Sequence, residues 1–269
     1  QILQGFFVYL NQIMAHYKIV EQSILAYFLQ WEKTTPNAVF LRMPQGGNWI
    51  EKTFAEVGEE SRKLLSYMRS IGLNKGDHIA IISKNCPEWI VTDIAIMMGG
   101  MISVPFFANL QSDQLNSLLI LSDSKALFIG KLDEWMSLKN GIPEGVQLIR
   151  MRHYDGNAKV DLGYDWDTIL REFTPAEDIC LPSLDELWTI IYTSGTTGLS
   201  KGAMIQHGAP IKIIVNEAEH ADIKIFDFAN HRFVSYLPLN HIAERIIVEV
   251  AAIVCGAPIS FVENVQSFT

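Results

Sequence analysis

Between Tyr192 and Met204 the chain reads YTSGTTGLSKGAM, a window with three glycines, five Ser or Thr hydroxyls and one lysine, entered from the apolar run Leu187-Trp188-Thr189-Ile190-Ile191. A strand that ends in such sequence can turn several backbone N–H groups towards one point, because Gly195 and Gly198 tolerate positive φ and admit a close ligand. Thr193, Ser194, Thr196 and Thr197 add rotatable donors, and Lys201 adds a compact charge on a long stem. Convergent amides, hydroxyls and one ammonium describe a cradle for a triphosphate. A Walker A loop is excluded by spacing, since Ser200 stands where that pattern needs Gly and Leu199-Ser200 separate Gly198 from Lys201.

The elements that must position this loop are legible upstream and downstream. Val39–Arg42 and Trp49–Thr53 read as strands about the turn Pro44-Gln45-Gly46-Gly47. Thr53 with Glu56 forms a capping-box pattern, and Phe54, Val57, Leu64, Leu65 and Met68 make one helix face before Gly72. Ile79–Ile82, Ile102–Val104 and Ala126–Ile129 are apolar strands, separated by helices predicted over Pro87–Met98 and Leu115–Leu121. From Gly141 to Asp185 only Val146–Ile149 is strand-like, and a subdomain junction is placed near Pro182. Then come a strand at Leu187–Tyr192, the loop, a strand at Ala203–Gln206, a helix about Ile211–Glu219 and a strand at Phe233–Leu237. A long apolar helix from about Ile242 to Val254 and a strand at Ile259–Val262 follow. Strands alternating with helices predict an α/β fold with mostly parallel sheets covered on both faces.

The chain has 269 residues, is 49% hydrophobic and carries a net charge of −9, a balance that disfavours a partner made of nucleic acid. Cys86, Cys180 and Cys255 form no CxxC pair, so neither a disulfide framework nor a zinc site is indicated, and a reduced, cytoplasmic setting is expected. They are read as inert core without a neighbouring His to activate a nucleophile. No charged residue occurs from Gln1 to Tyr17, yet Phe6, Leu10, Ile13, Tyr17, Val20, Ile24 and Phe28 recur at helical spacing opposite Gln4, Asn11, Lys18 and Gln22. Residues 1–30 are thus expected to form an amphipathic helix whose apolar face docks on the protein's own body or makes a peripheral contact with a membrane.

Tyr192–Met204 closely resembles the phosphate-binding signature of the AMP-forming, adenylate-forming enzymes, which include acyl-CoA synthetases, luciferases and peptide-synthetase adenylation domains. A second stretch, Tyr236-Leu237-Pro238-Leu239-Asn240-His241-Ile242-Ala243-Glu244-Arg245, looks like that family's Leu-Pro-x-x-His segment in its long-chain fatty acyl-CoA synthetase form. Trp49–Phe54, Gly76–Ile81, Asn85–Trp89 and Val104-Pro105 resemble the same subgroup. The resemblance runs from about Val39 to Thr269 and implies the N-terminal part of an acyl-CoA synthetase-like large domain. It implies three co-substrates, ATP, a fatty acid and coenzyme A, with Mg2+ as metal.

Carried over residue by residue, the resemblance assigns the β- and γ-phosphates to Thr193, Ser194, Gly195, Thr196, Thr197, Gly198 and Lys201. Thr193 and Thr197 are the candidate magnesium-linked hydroxyls, and Lys201 and Thr193 are candidate catalytic groups. His241 is expected beside the adenylate and acyl pocket, with Glu244 as a further pocket residue and Arg245 a weaker candidate. Asn85 and Trp89 are assigned to packing and helix entry. The division implied is a first helix over 1–30, a first α/β subdomain over 31–182 and the start of a second over 183–269. The family's Tyr-Gly-x-Thr-Glu segment, ribose-binding Asp, hinge and C-terminal lid domain with its Lys find no match, so the chain is expected to be an incomplete, inactive portion of a synthetase. A carrier-protein thiol as acceptor and a non-catalytic nucleotide- or partner-binding fragment stand as alternatives, and oligomeric state is left open.

Overall fold

In the computed structural model, which describes residues 21–193, 201–219 and 231–262, the alternating pattern folds into two sheets with helices on their faces. The first half runs α1 (Ile24–Thr34), β1 (Val39–Gln45), β2 (Asn48–Thr53), α2 (Phe54–Ser70), β3 (His78–Ile82), α3 (Pro87–Met98), β4 (Ile102–Phe106), α4 (Ser112–Leu121) and β5 (Ser124–Ile129). It continues with β6 (Gln147–Arg150), β7 (Tyr164–Asp165), α5 (Trp166–Glu172), β8 (Leu187–Thr193), β9 (Lys201–Gln206), α6 (Gly208–Glu219) and β10 (Phe233–Ser235). Last come α7 (Ile242–Glu244), a π-helical segment (Arg245–Val250), α8 (Ala251–Cys255) and β11 (Ile259–Phe261).

The larger sheet has the order β7-β6-β5-β3-β4-β8-β9 and is parallel up to β8, beside which β9 returns antiparallel. Its apolar strands are buried on both faces. Ile79, Ile81, Ala126 and Phe128 belong to one core, whereas Ala80, Ile82, Leu127 and Ile129 belong to the other, as a period of two requires. The smaller sheet, β10-β11-β1-β2, pairs β1 with β11 in parallel although the two are more than 200 residues apart in sequence. At Pro182 the chain does not change sheets, because β8 inserts beside β4 through the pairing of Ser103 with Thr189.

The capping box at Thr53 forms as its sequence predicts: Thr53 Oγ1 accepts from the Glu56 amide at 3.2 Å, and Glu56 Oε2 accepts from the Thr53 amide at 2.7 Å. The region from Gly141 to Asp185 contains more order than expected. β7 and α5 were hidden there because the strand has two residues and the helix two turns, too short to show a period. Asp165 caps α5 by accepting from Thr168 N at 3.0 Å, and Trp166 and Ile169 are buried beneath it.

Of the helix expected over 1–30, the structure describes residues 21–30: residues 21–23 are not helical, Ser23 caps a helix by accepting from Ala26 N at 3.3 Å, and that helix runs past residue 30 to Thr34. Ile24, Leu25, Tyr27, Phe28 and Trp31 face inward, with the Phe28 ring 5.9 Å from those of Phe40 and Phe54. This stretch therefore docks on the protein's own body; residues 1–20 lie outside the described residues. Among the described residues no helix is long and apolar enough to cross a membrane.

Candidate active site

β8 and β9 pair antiparallel, and the glycine- and hydroxyl-rich segment joins them in sequence. Thr193 and Lys201 are direct cross-strand partners, and both are exposed. Directly opposed residues in an antiparallel pair project from the same face, so the hydroxyl of Thr193 and the ammonium of Lys201 share one side of the hairpin mouth. Behind them Gly202 is required by close approach, since a Cβ there would sit 2.8 Å from Ile190 Cγ2. Ser194, Gly195, Thr196, Thr197 and Gly198 lie outside the described residues.

The second expected segment follows β10. His241 caps α7, its Nδ1 accepting from Ala243 N at 3.2 Å, and its exposed ring is oriented by that bond. With Nδ1 as acceptor, the proton of a neutral ring resides on Nε2. Glu244 is 2% exposed, and its Oε1 accepts from Ser235 Oγ at 2.8 Å and from Tyr236 N at 3.0 Å. Burial raises its pKa, opposed by those donors and by the Leu237 amide. The described contacts of Glu244 therefore make it the anchor of residues 235–237.

Asn85, expected from the sequence to serve packing and helix entry, clamps the same segment from just beyond β3. Its Nδ2 donates to Ser235 Oγ at 2.8 Å and to the Leu237 carbonyl at 2.6 Å, and its Oδ1 accepts from Leu239 N at 2.9 Å. Only its place after an apolar strand hinted at this, because its partners lie about 150 residues away. Pro238 lacks an N–H and Leu237 and Leu239 lie beyond the end of β10, where an amide side chain supplies both a donor and an acceptor.

Arg245 is fully buried between the Trp89 and Trp188 rings, with its guanidinium carbon 5.0 and 3.9 Å from their centroids. Its Nη2 meets Asp93 Oδ2 at 2.6 Å, its Nε donates to Glu249 Oε2 at 2.9 Å, and its Nη1 donates to Thr189 Oγ1 at 2.7 Å. Trp188 Nε1 donates to the same Asp93 oxygen at 3.1 Å. Trp89, expected to pack, does so here. Burial pushes the Glu249 carboxyl well above its ordinary range, and burial likewise pushes the Cys86 and Cys255 thiols up to about 12, far from nucleophilic at neutral pH.

A separate cavity of about 530 Å³ opens beyond β5 and β6, lined by Lys131, Arg150, Arg152 and Tyr154 among others. None of the expected site residues lines it, and β3 and β4 separate its strands from the hairpin. Arg150 and Arg152 are already paired there, with Asp165 at 3.2 Å and with Asp167 at 2.7 Å. Among the described residues no group of three His, Cys, Asp or Glu side chains could hold a metal ion.

The family model described as AMP-binding enzyme matches residues 28–269. "Long chain acyl-CoA synthetase 4" of Arabidopsis thaliana is 28% identical over 231 residues, covering 80% of this chain and 34% of the relative. "Fatty acyl-CoA synthetase A" of Dictyostelium discoideum is 31% identical over 223 residues, covering 77% of this chain and 32% of the relative. The chain thus spans about a third of the length of these relatives. Among solved structures, unliganded O-succinylbenzoate coenzyme A synthetase (MenE) of Bacillus subtilis superimposes with a TM-score of 0.69 at 21% identity, covering 91% of this chain and 45% of that one. The N-terminal subdomain of Klebsiella oxytoca NpsA in complex with 3-hydroxybenzoyl-AMSN gives 0.68 at 18%, covering 89% of this chain and 53% of that one. These likenesses show the fold, that of the N-terminal domain of adenylate-forming enzymes.

Proposed function

The chain belongs to the AMP-binding enzyme family, and from that premise we propose that it is the part of a fatty acyl-CoA synthetase that holds ATP while a long-chain acid is activated. The observation that carries this reading is the hairpin that sets Thr193 opposite Lys201 across a loop of glycines and hydroxyls. The acyl-CoA synthetase relatives support a fatty acid as the substrate and coenzyme A as the acceptor.

A carboxylate is a poor acyl donor because its leaving group would be oxide or hydroxide. In the proposed first step a carboxylate oxygen attacks the α-phosphorus of ATP, the bond to the bridging oxygen breaks, and pyrophosphate leaves with the electron pair. In the second, the coenzyme A thiolate attacks the acyl carbon and AMP departs. Both steps depend on placement and on stabilising charge on oxygen. Thr193, Ser194, Thr196 and Thr197 hydroxyls, the Gly195 and Gly198 amides and the Lys201 ammonium would hold the β- and γ-phosphates, and Lys201 would neutralise the departing pyrophosphate. His241 would flank the adenylate and the acyl chain.

The donors at the hairpin mouth fit a magnesium ion brought in by the phosphates rather than a protein-built cage: Thr193 offers a neutral hydroxyl, and no three-residue acidic or imidazole cluster stands among the described residues. Thr193 and Thr197 would be its protein contacts, and the ion would spread phosphate charge. The cytoplasm is the proposed location, with residues 1–20 the remaining candidates for a membrane contact.

The test is ATP–pyrophosphate exchange by the full-length gene product with and without long-chain fatty acids. Stimulated exchange is expected, and Lys201→Met is expected to lower it at least a hundredfold with an unchanged melting temperature. No exchange with any acid refutes the reading. Mass spectrometry of products made with coenzyme A or with a carrier protein separates the two acceptors.

A further inference from the structure

Arg245 joins the two halves of the candidate site through contacts that neither motif contains. Its backbone directly follows Glu244, which anchors Ser235 and Tyr236, and it stands four residues after His241. Its guanidinium reaches in the opposite direction, to Thr189 on β8, four residues before Thr193. Thr189 Oγ1 in turn donates to the Ser103 carbonyl of β4 at 2.8 Å, so the arm is tied into the centre of the sheet. The planar fork is locked by Asp93 from α3, by Glu249 one turn on, and by the two indole faces. Arg245, Asp93 and Glu249 are each 0% exposed.

A buried ion pair is a poor source of stability, because desolvating both partners offsets their attraction; in some proteins such a pair instead selects one geometry over its neighbours. The backbone tells the same story. The helix after His241 changes to π winding at Arg245 and returns to α winding at Ala251, and a widened turn of this kind is concentrated at functional sites. The widened turn starts at the residue whose side chain makes the cross-connection.

We propose that Arg245 is a positioning residue, which sets the His241 segment at a defined distance from the strand that delivers Thr193 and the phosphate loop. The proposal rests on the adenylation reading above. Arg245 touches no substrate; it acts through His241 on one side and through Thr189 on the other. Placement errors of about an ångström are enough to lower a rate strongly when two reacting groups are held by different elements.

The test is a double-mutant cycle in the full-length protein, read by acid-stimulated ATP–pyrophosphate exchange. Arg245→Met fills the same space without the fork. It is expected to lower kcat about thirtyfold, leave KM for ATP within about threefold and retain one nucleotide bound per chain by calorimetry. Combined with His241→Ala it is expected to cost little more than His241→Ala alone, because both remove the same placement. Losses that multiply in the double variant, or a loss matched by a fall in nucleotide stoichiometry, overturn the proposal and leave the adenylation reading standing. A wild-type protein without exchange overturns both. Should Arg245→Met not fold, Thr189→Val removes the strand arm alone; about a tenfold fall in kcat, non-additive with His241→Ala, is expected, and additivity refutes.

Discussion

The clamp made by Asn85 is the sharpest place to test the site by perturbation. Asn85→Ala removes three hydrogen bonds, to Ser235 Oγ, the Leu237 carbonyl and the Leu239 amide. At a net worth of about 1 kcal/mol each the sum is ~3 kcal/mol. Asn85 is half-buried, so water can reach some of the released groups, and the expected cost falls to about 2 kcal/mol. That corresponds to a melting temperature lowered by roughly 4–8 °C at this chain size. Asn85→Asp discriminates further. It keeps the acceptor for Leu239 N but turns an oxygen towards the Leu237 carbonyl and towards Ser235, whose hydroxyl proton is already given to Glu244. Asp is therefore expected to be at least as damaging as Ala above pH 5, with part of the loss recovered as the carboxyl is protonated. Urea unfolding of both variants measures this, and exchange kinetics in the full-length protein should fall about tenfold as the His241 segment loosens. A cost below about 0.5 kcal/mol for Asn85→Ala, or an Asp variant as stable as the parent, would refute the argument.

Three other outcomes follow from the packing. His207 is 1% exposed, and burial pushes its imidazole down to about 4, with Asp93 and Glu186 opposing and Arg245 reinforcing that shift. The unfolded chain takes up this proton near pH 6.5 and the folded one only near 4, so stability is full above 6.5 and is lost as pH falls between them, by about 3 kcal/mol in total; His207→Leu should flatten that part of a pH–stability profile. Gly256 ends α8 in the left-handed region at φ 65°, and a Cβ there would lie 2.5 Å from the Trp31 ring, so Gly256→Ala should cost about 2 kcal/mol in urea unfolding, more than strain alone. Thr53→Ala removes half of the capping box and should cost about 1 kcal/mol, recovered in part by Thr53→Ser.

What the sequence determined by itself is local. The capping box at Thr53, the Pro-initiated α3, the doubly buried strands and the hairpin frame around YTSGTTGLSKGAM all follow from residues a few positions apart, where period, caps and glycines carry the signal. The chemistry proposed for the loop rests on the same kind of signal, hydroxyls, glycines and a lysine at close spacing that suit a phosphate-rich ligand. Only the tertiary structure decided which distant groups meet: β1 beside β11, Asn85 beneath Leu237–Leu239, and Arg245 between Trp89 and Trp188 with Asp93 and Thr189. Glu244 and Arg245 stand three and four residues after His241 in sequence, and nothing in that spacing says that both turn into the interior. Their direction is set by which charges the folded sheet leaves buried and in need of partners, a quantity that exists only once the strands have paired.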